Sequence, residues 1–124
     1  MPRTAVTPTA LVANSSIARP AGTTIDATLV SNGVEIAAAP TEEIIVEVTQ
    51  TDAAAKTVTI RKGAAPPAHD AGQGDLTASL AQNAVRLFGP FTSGRFAQAD
   101  GKINVDFETG TTGTLRVYRC PRTA

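Results

Sequence analysis

From Glu43 to Thr49 the chain reads Glu-Ile-Ile-Val-Glu-Val-Thr, and this alternation constrains the fold more than any other feature. Ile44, Val46 and Val48 recur with period two, while Glu43, Glu47 and Thr49 fall on the opposite side with Ile45 among them. An extended strand with one buried face separates residues in this way. A helix would spread the same residues around its circumference. Residues 56–62 repeat the pattern, with Val58 and Ile60 against Thr57, Thr59 and Arg61. So do residues 102–108, with Ile103, Val105 and Phe107 against Asn104, Asp106 and Glu108.

Shorter β-type runs lie at 9–12, 23–30, 34–38, 76–80, 84–88 and 114–120. Between them stand turn formers: Asn32-Gly33, Pro40, Gly89-Pro90, Asp100-Gly101, the stretch 109–114 and the Pro- and Gly-bearing stretch 63–74. Asn-Gly is a strong hairpin signal because both residues tolerate positive φ. It predicts that 23–30 and 34–38 pair, and the turn at 52–55 predicts a hairpin of 42–51 with 56–62. No helix is expected. Short strands at regular spacing imply an all-β chain, a single antiparallel β-sandwich or jelly-roll-like domain over 9–124, with a small barrel also compatible and jelly-roll and immunoglobulin-like strand orders equally so. Residues 1–8, rich in Pro and Thr, read as an extended N-terminal arm.

Composition narrows the partners. Lys and Arg number 11, as do Asp and Glu, so the net charge is zero. A polyanion is recognised through a basic excess, so nucleic acid is not the expected partner. No run of about 18 apolar residues suggests a membrane span, and no signal peptide is read, which places synthesis and folding in a cytosol. Aromatic residues are 4% with no Trp. The core therefore rests on small aliphatic side chains, each burying little area, and association is expected to add stability. Cys120 is the single cysteine, so no internal disulfide organises the fold.

Residues capable of chemistry are scattered. His69 and Asp70 adjoin in the long loop, but no nucleophile motif accompanies them. Gly72-Gln73-Gly74 lacks the helix start that a phosphate loop requires. Asp106 and Glu108 share a strand face, where a solvated surface is the simpler reading than a calcium site. Arg116, Arg119 and Arg122 form a small basic end without aromatic platforms. Asn14-Ser15-Ser16 fits a glycosylation pattern by chance in a chain read as cytosolic. Catalytic residues, cofactors and metals are therefore not expected. Phe88 reads as core, whereas Phe91 and Phe96 stand open between core and interface anchor.

One ordered set of motifs has a familiar look. Lys56-Thr57-Val58-Thr59-Ile60-Arg61-Lys62-Gly63 precedes a Pro-Pro loop and Gly74-Asp75-Leu76. Then follow Phe88-Gly89-Pro90-Phe91, Gly94-Arg95-Phe96-Ala97-Gln98-Ala99-Asp100-Gly101 and Ile103-Asn104-Val105-Asp106-Phe107. From about Ile44 to the C-terminus this order resembles the small capsid decoration (cement) proteins of tailed bacteriophages, particularly those of actinobacterial hosts. The resemblance implies a structural virion protein on the outer capsid surface. Its partners would be the major capsid protein and further copies of itself, a trimer among the options. The capsid-contact candidates are the arm residues Pro2, Arg3, Thr4, Val6 and Pro8, followed by Phe91, Arg95 and Phe96. The rival readings are a phage tail or surface adhesion module that binds carbohydrate, a tail-tube or connector subunit, and an enzyme.

Overall fold

The computed structural model describes residues 3–12, 14–37, 43–63, 74–91, 96–98 and 100–120. Two mixed five-stranded sheets enclose one core. The alternating segments become the long strands β5 (Ile44–Gln50), β6 (Lys56–Ile60) and β9 (Ile103–Phe107). Ile44, Val46, Val48, Val58, Ile60, Ile103, Val105 and Phe107 all point inward. Each period-two reading thus gives the correct face.

Partner choice differs from the local expectation. Sheet A contains β1 (Thr4–Val6), β4 (Val34–Ile36), β9, β6 and β7 (Leu76–Leu80) in that order. Sheet B contains β2 (Thr9–Ala10), β10 (Gly113–Arg119), β5 and β8 (Val85–Phe88), and β3 (Thr23–Ile25) also pairs with β10. The segments around 44–50 and 56–60 therefore belong to different sheets and form no hairpin. From β3 to β10 the pairing is nested: β3 with β10, β4 with β9, β5 with β8, and β6 with β7. Successive nested pairs fall alternately in sheet B and sheet A, so each apolar face buries against the opposite sheet, which a flat local hairpin of the same residues would leave half exposed.

The expected hairpin through Asn32-Gly33 is also replaced. Ala27–Asn32 form a short helix, α1, where a continuation of the strand was expected. Asp26 stops β3 and caps the helix, its Oδ1 accepting from Leu29 N at 2.8 Å. Gly33 closes the other end at φ 76°, its N–H donating to Leu29 O at 2.8 Å. Leu29 is buried, so the helix fills the sandwich end.

The N-terminal segment is part of the sandwich wherever it is described. Thr4–Val6 pair in parallel with Val34–Ile36, and Thr9–Ala10 in parallel with Tyr118–Arg119. The sandwich is accordingly mixed, not purely antiparallel. Val6 is buried, Thr4 N donates to Gly33 O, and Ala37 N donates to Val6 O, both at 2.9 Å. Arg3 grips Asp106 with both terminal nitrogens, at 2.6 and 3.3 Å. Deleting residues 1–6 is expected to lower unfolding free energy by about 2–4 kcal/mol, from one buried valine and two backbone hydrogen bonds. A denaturant midpoint unchanged by the deletion would contradict this.

Candidate interaction surface

The two outer faces of the sandwich differ in where they leave apolar side chains exposed. On sheet A the outward positions are Glu35, Thr57, Thr59, Arg61, Thr77, Ser79, Asn104 and Asp106. Their charges neutralise one another: Asp106 meets Arg3 at 2.6 Å and Arg61 at 3.4 Å, Arg61 meets Asp75 at 3.2 Å, and Lys102 meets Glu35 at 3.2 Å. Lys56 lies 3.7 Å from Glu108, whose Oε1 accepts from Thr57 N. Both carboxylates considered for calcium are therefore held by cations, and no cluster fit for a metal occurs among the described residues. Such exposed pairs contribute about 0–1 kcal/mol each, and they make a well-solvated surface.

Sheet B presents Ile45, Glu47 and Thr49 from β5, Thr114, Arg116 and Tyr118 from β10, and Val85 and Leu87 from β8. Residues 11–12 and 14–22 cross over part of this face between β2 and β3. They are tied down by Arg19–Glu47 at 2.7 Å and by Arg116 Nε donating to Pro20 O at 2.7 Å. Beside this crossing segment lies a groove of about 370 Å³. Ile45, Leu87, Tyr118 and Cys120 line one side, and Leu11, Ile17, Arg19 and Pro20 the other. Leu87 is 65% exposed and Ile17 40%, and both line this groove; Val85, 54% exposed, lies two residues from Leu87 on β8, and Val12 on the crossing segment.

Tyr118 links the groove to the polar part of the face. Its hydroxyl donates to Glu47 Oε2 at 2.8 Å. Burial pushes its phenol above the ordinary tyrosine value, and the hydrogen bond to Glu47 and that carboxylate's charge push the same way, against Arg19 and Arg116. Since the folded value is raised, this contribution to stability is complete below the ordinary value, about pH 10, and is lost as pH rises through the folded value. The chain has one tyrosine and no tryptophan, so absorbance at 295 nm reports Tyr118 alone. Glu47→Gln is expected to bring its midpoint back toward the ordinary value. An unchanged midpoint would contradict the part assigned to Glu47 and leave burial as the cause.

Most sequence-level candidates lie elsewhere. Phe91 and Phe96 are 2% and 5% exposed and meet edge-to-face at 5.3 Å, so both are core in this structure. Val6 is core, and Arg3 is engaged with Asp106. Thr4 is half-buried in β1 and Pro8 half-buried between β1 and β2. Pro2, Arg95, His69, Asp70, Gly72, Gln73 and Arg122 lie outside the described residues. Arg119 pairs with Glu43 at 3.0 Å, within the chain. Val85, Leu87 and Ile17 were missed. In Val85-Arg86-Leu87-Phe88 every residue but Arg86 is apolar, so the pattern does not say which face is wet.

A larger hollow of about 510 Å³ lies between α1 and the turn before β10, lined by Ala27, Val30, Ser31 and residues 109–112. It offers hydroxyls and backbone groups with no titratable side chain. No protein family, no curated protein and no solved structure matches the chain.

Proposed function

We propose that this protein is a docking domain that decorates an assembled protein shell, in the manner of a capsid decoration protein on a tailed-phage head. The observation that carries the docking reading is the contrast between the two outer faces. One is a network of satisfied charges; the other, beside its own pairs at Glu47, leaves Ile17 and Leu87 in water at a groove and Val85 in water next to it. A partner surface gains from covering the second face and gains little from the first. The phage-head assignment rests on the motif order between Lys56 and Phe107. The nested pairing of β3–β10 supports it, because we read that winding as a jelly roll, an architecture found among viral capsid and lectin domains. That support is analogy of fold alone.

Magnitudes favour a multivalent setting. Covering the exposed parts of Ile17, Val85 and Leu87 yields roughly 1 kcal/mol each, given 1.5–3 kcal/mol for a fully buried aliphatic side chain. A micromolar complex needs about 8 kcal/mol. One groove therefore binds weakly, and a lattice of sites adds avidity where copies also touch each other. A ligand selective for the expanded shell stabilises that state by linkage.

The test is co-sedimentation of the purified protein with expanded phage capsids that lack it. Saturation at a fixed ratio to capsid subunits, with greater resistance of the shell to heat, is expected. No binding at micromolar protein would overturn the decoration role.

A further inference from the structure

We propose that the free edge of β8 takes up an extended segment of a partner protein as an added strand, and that this segment is apolar at alternate positions with a carboxylate set against Arg86. The proposal rests on the docking reading and names the contact that supplies the affinity the groove alone lacks.

β8 ends the order of sheet B and pairs with β5 only. The hydrogen-bond phase of β5 is fixed at both ends. Cys120 N donates to Glu43 O and Thr51 N to Thr112 O, so odd-numbered residues of β5 bond β10. Gln50 N donates to Ala84 O, so even-numbered residues bond β8. Ala84, Arg86 and Phe88 are thereby used, and Val85 and Leu87 direct their backbone N–H and C=O groups outward from the sheet. No described strand lies beyond them. The same two residues have exposed apolar side chains on the outer face of the sheet, and Leu87 lines the groove. Free backbone groups and apolar contact surface thus lie together on one edge, which is what strand addition requires.

The other edges offer less. β1 has three residues and is flanked by the Arg3–Asp106 pair. β7 is open as well, but its outward residues are Thr77 and Ser79, which give an added strand no apolar contact. The far edge of sheet B is divided between β2 and β3. A charge is the usual guard on an edge as open as that of β8, and Arg86 holds that place. It stands opposite Val48 on the core-facing side, yet it is exposed. Among the described arginines it alone has neither an ion pair nor a hydrogen bond. Arg3, Arg19, Arg61 and Arg119 hold carboxylates, and Arg116 holds a carbonyl.

An incoming strand would cut Arg86 off from part of its water, which costs free energy unless an acceptor replaces it. A carboxylate does so best, by a charge-assisted and potentially bidentate bond. A second copy of this chain fits poorly. Two-fold pairing centred on Arg86 opposes two guanidinium groups, and pairing centred on Leu87 sets Arg86 against Phe88 without an acceptor.

The test uses the full chain, isotopically labelled, and two synthetic peptides: an acetylated Thr-Val-Glu-Val-Thr-Val amide and its Glu-to-Lys counterpart. The Glu peptide is expected to shift amide resonances of Val85–Phe88 and the facing β5 residues in a saturable way. The Lys peptide should bind at least tenfold more weakly, and Arg86→Glu, with its fold checked by its amide spectrum, should reverse the order. No shifts, shifts confined to other elements, equal binding of both peptides, or no reversal would each overturn the proposal. Pelleting with expanded capsids separates the two readings. Peptide binding at β8 without shell binding removes the shell and keeps the edge. Shell binding undiminished by Arg86→Glu keeps the shell and removes the edge.

Discussion

Gly113→Val is expected to lower the denaturant midpoint far below that of the native protein. Gly113 opens β10 at φ +135°, a region that β-branched residues rarely occupy. A Cβ there would overlap the Thr49 carbonyl oxygen, a backbone atom that cannot turn aside. The residue also sits at the junction of three strands, opposite Gln50 on one side and Ile25 on the other. Relief of the overlap would have to separate β10 from β5, the long central pair of sheet B. Backbone strain and disrupted pairing together should cost at least about 4 kcal/mol, a large share of the roughly 5–15 kcal/mol by which domains of this size are stable. Circular dichroism and a denaturant titration check it. A midpoint close to that of the native protein would show that the close approach is not what the glycine serves.

Gln50 is the second sensitive point. It is the last residue of β5 and has 0% exposure, the one amide among the large fully buried side chains. Its Nε2 donates to Leu80 O at 3.0 Å and to Ala54 O at 3.1 Å, and its Oε1 accepts from Asp52 N. One side chain thus ties sheet B to the end of β7 in sheet A and shapes the turn that carries the chain between the sheets. Gln50→Leu keeps most of the volume, leaves the Asp52 N–H without its partner and takes from the Leu80 carbonyl the second of its donors, since Leu80 also pairs with Lys56 in the sheet. At about 1–3 kcal/mol for an unsatisfied buried group, a loss of roughly 1–3 kcal/mol is expected. Gln50→Ala adds a cavity and should be worse by a further 1–2 kcal/mol or so. Equal stability of the leucine variant and the native protein would show that the three hydrogen bonds contribute nothing net.

Both positions illustrate what is legible in this sequence. Alternation marks the faces correctly from Ile44 to Val48, at Val58 and Ile60, and from Ile103 to Phe107, because facing is a local property of a pleated strand. Pairing is not local. Ile25 meets Gly113, and Thr4 meets Val34 in parallel, and no run of neighbours encodes those distances. The hairpin expected at Asn32-Gly33 failed because Asp26 and Gly33 together delimit a helix, a signal hidden by the β-branched Thr24, Ile25, Thr28 and Val30 around it. The interaction face was illegible for a related reason. Leu87 and Phe88 are equally apolar, and only the register of β8 on β5 decides that Phe88 is core and Leu87 is wet.

The central claim is that sheet B meets the partner and sheet A does not. Hydroxyl-radical footprinting of the protein, free and bound to expanded capsids, tests it most directly. The account predicts protection of Ile17, Leu87 and Tyr118 in the bound state, with Lys56, Arg61 and Lys102 on the sheet A side as reactive as in the free protein. Protection on the sheet A side with Leu87 still reactive would contradict it.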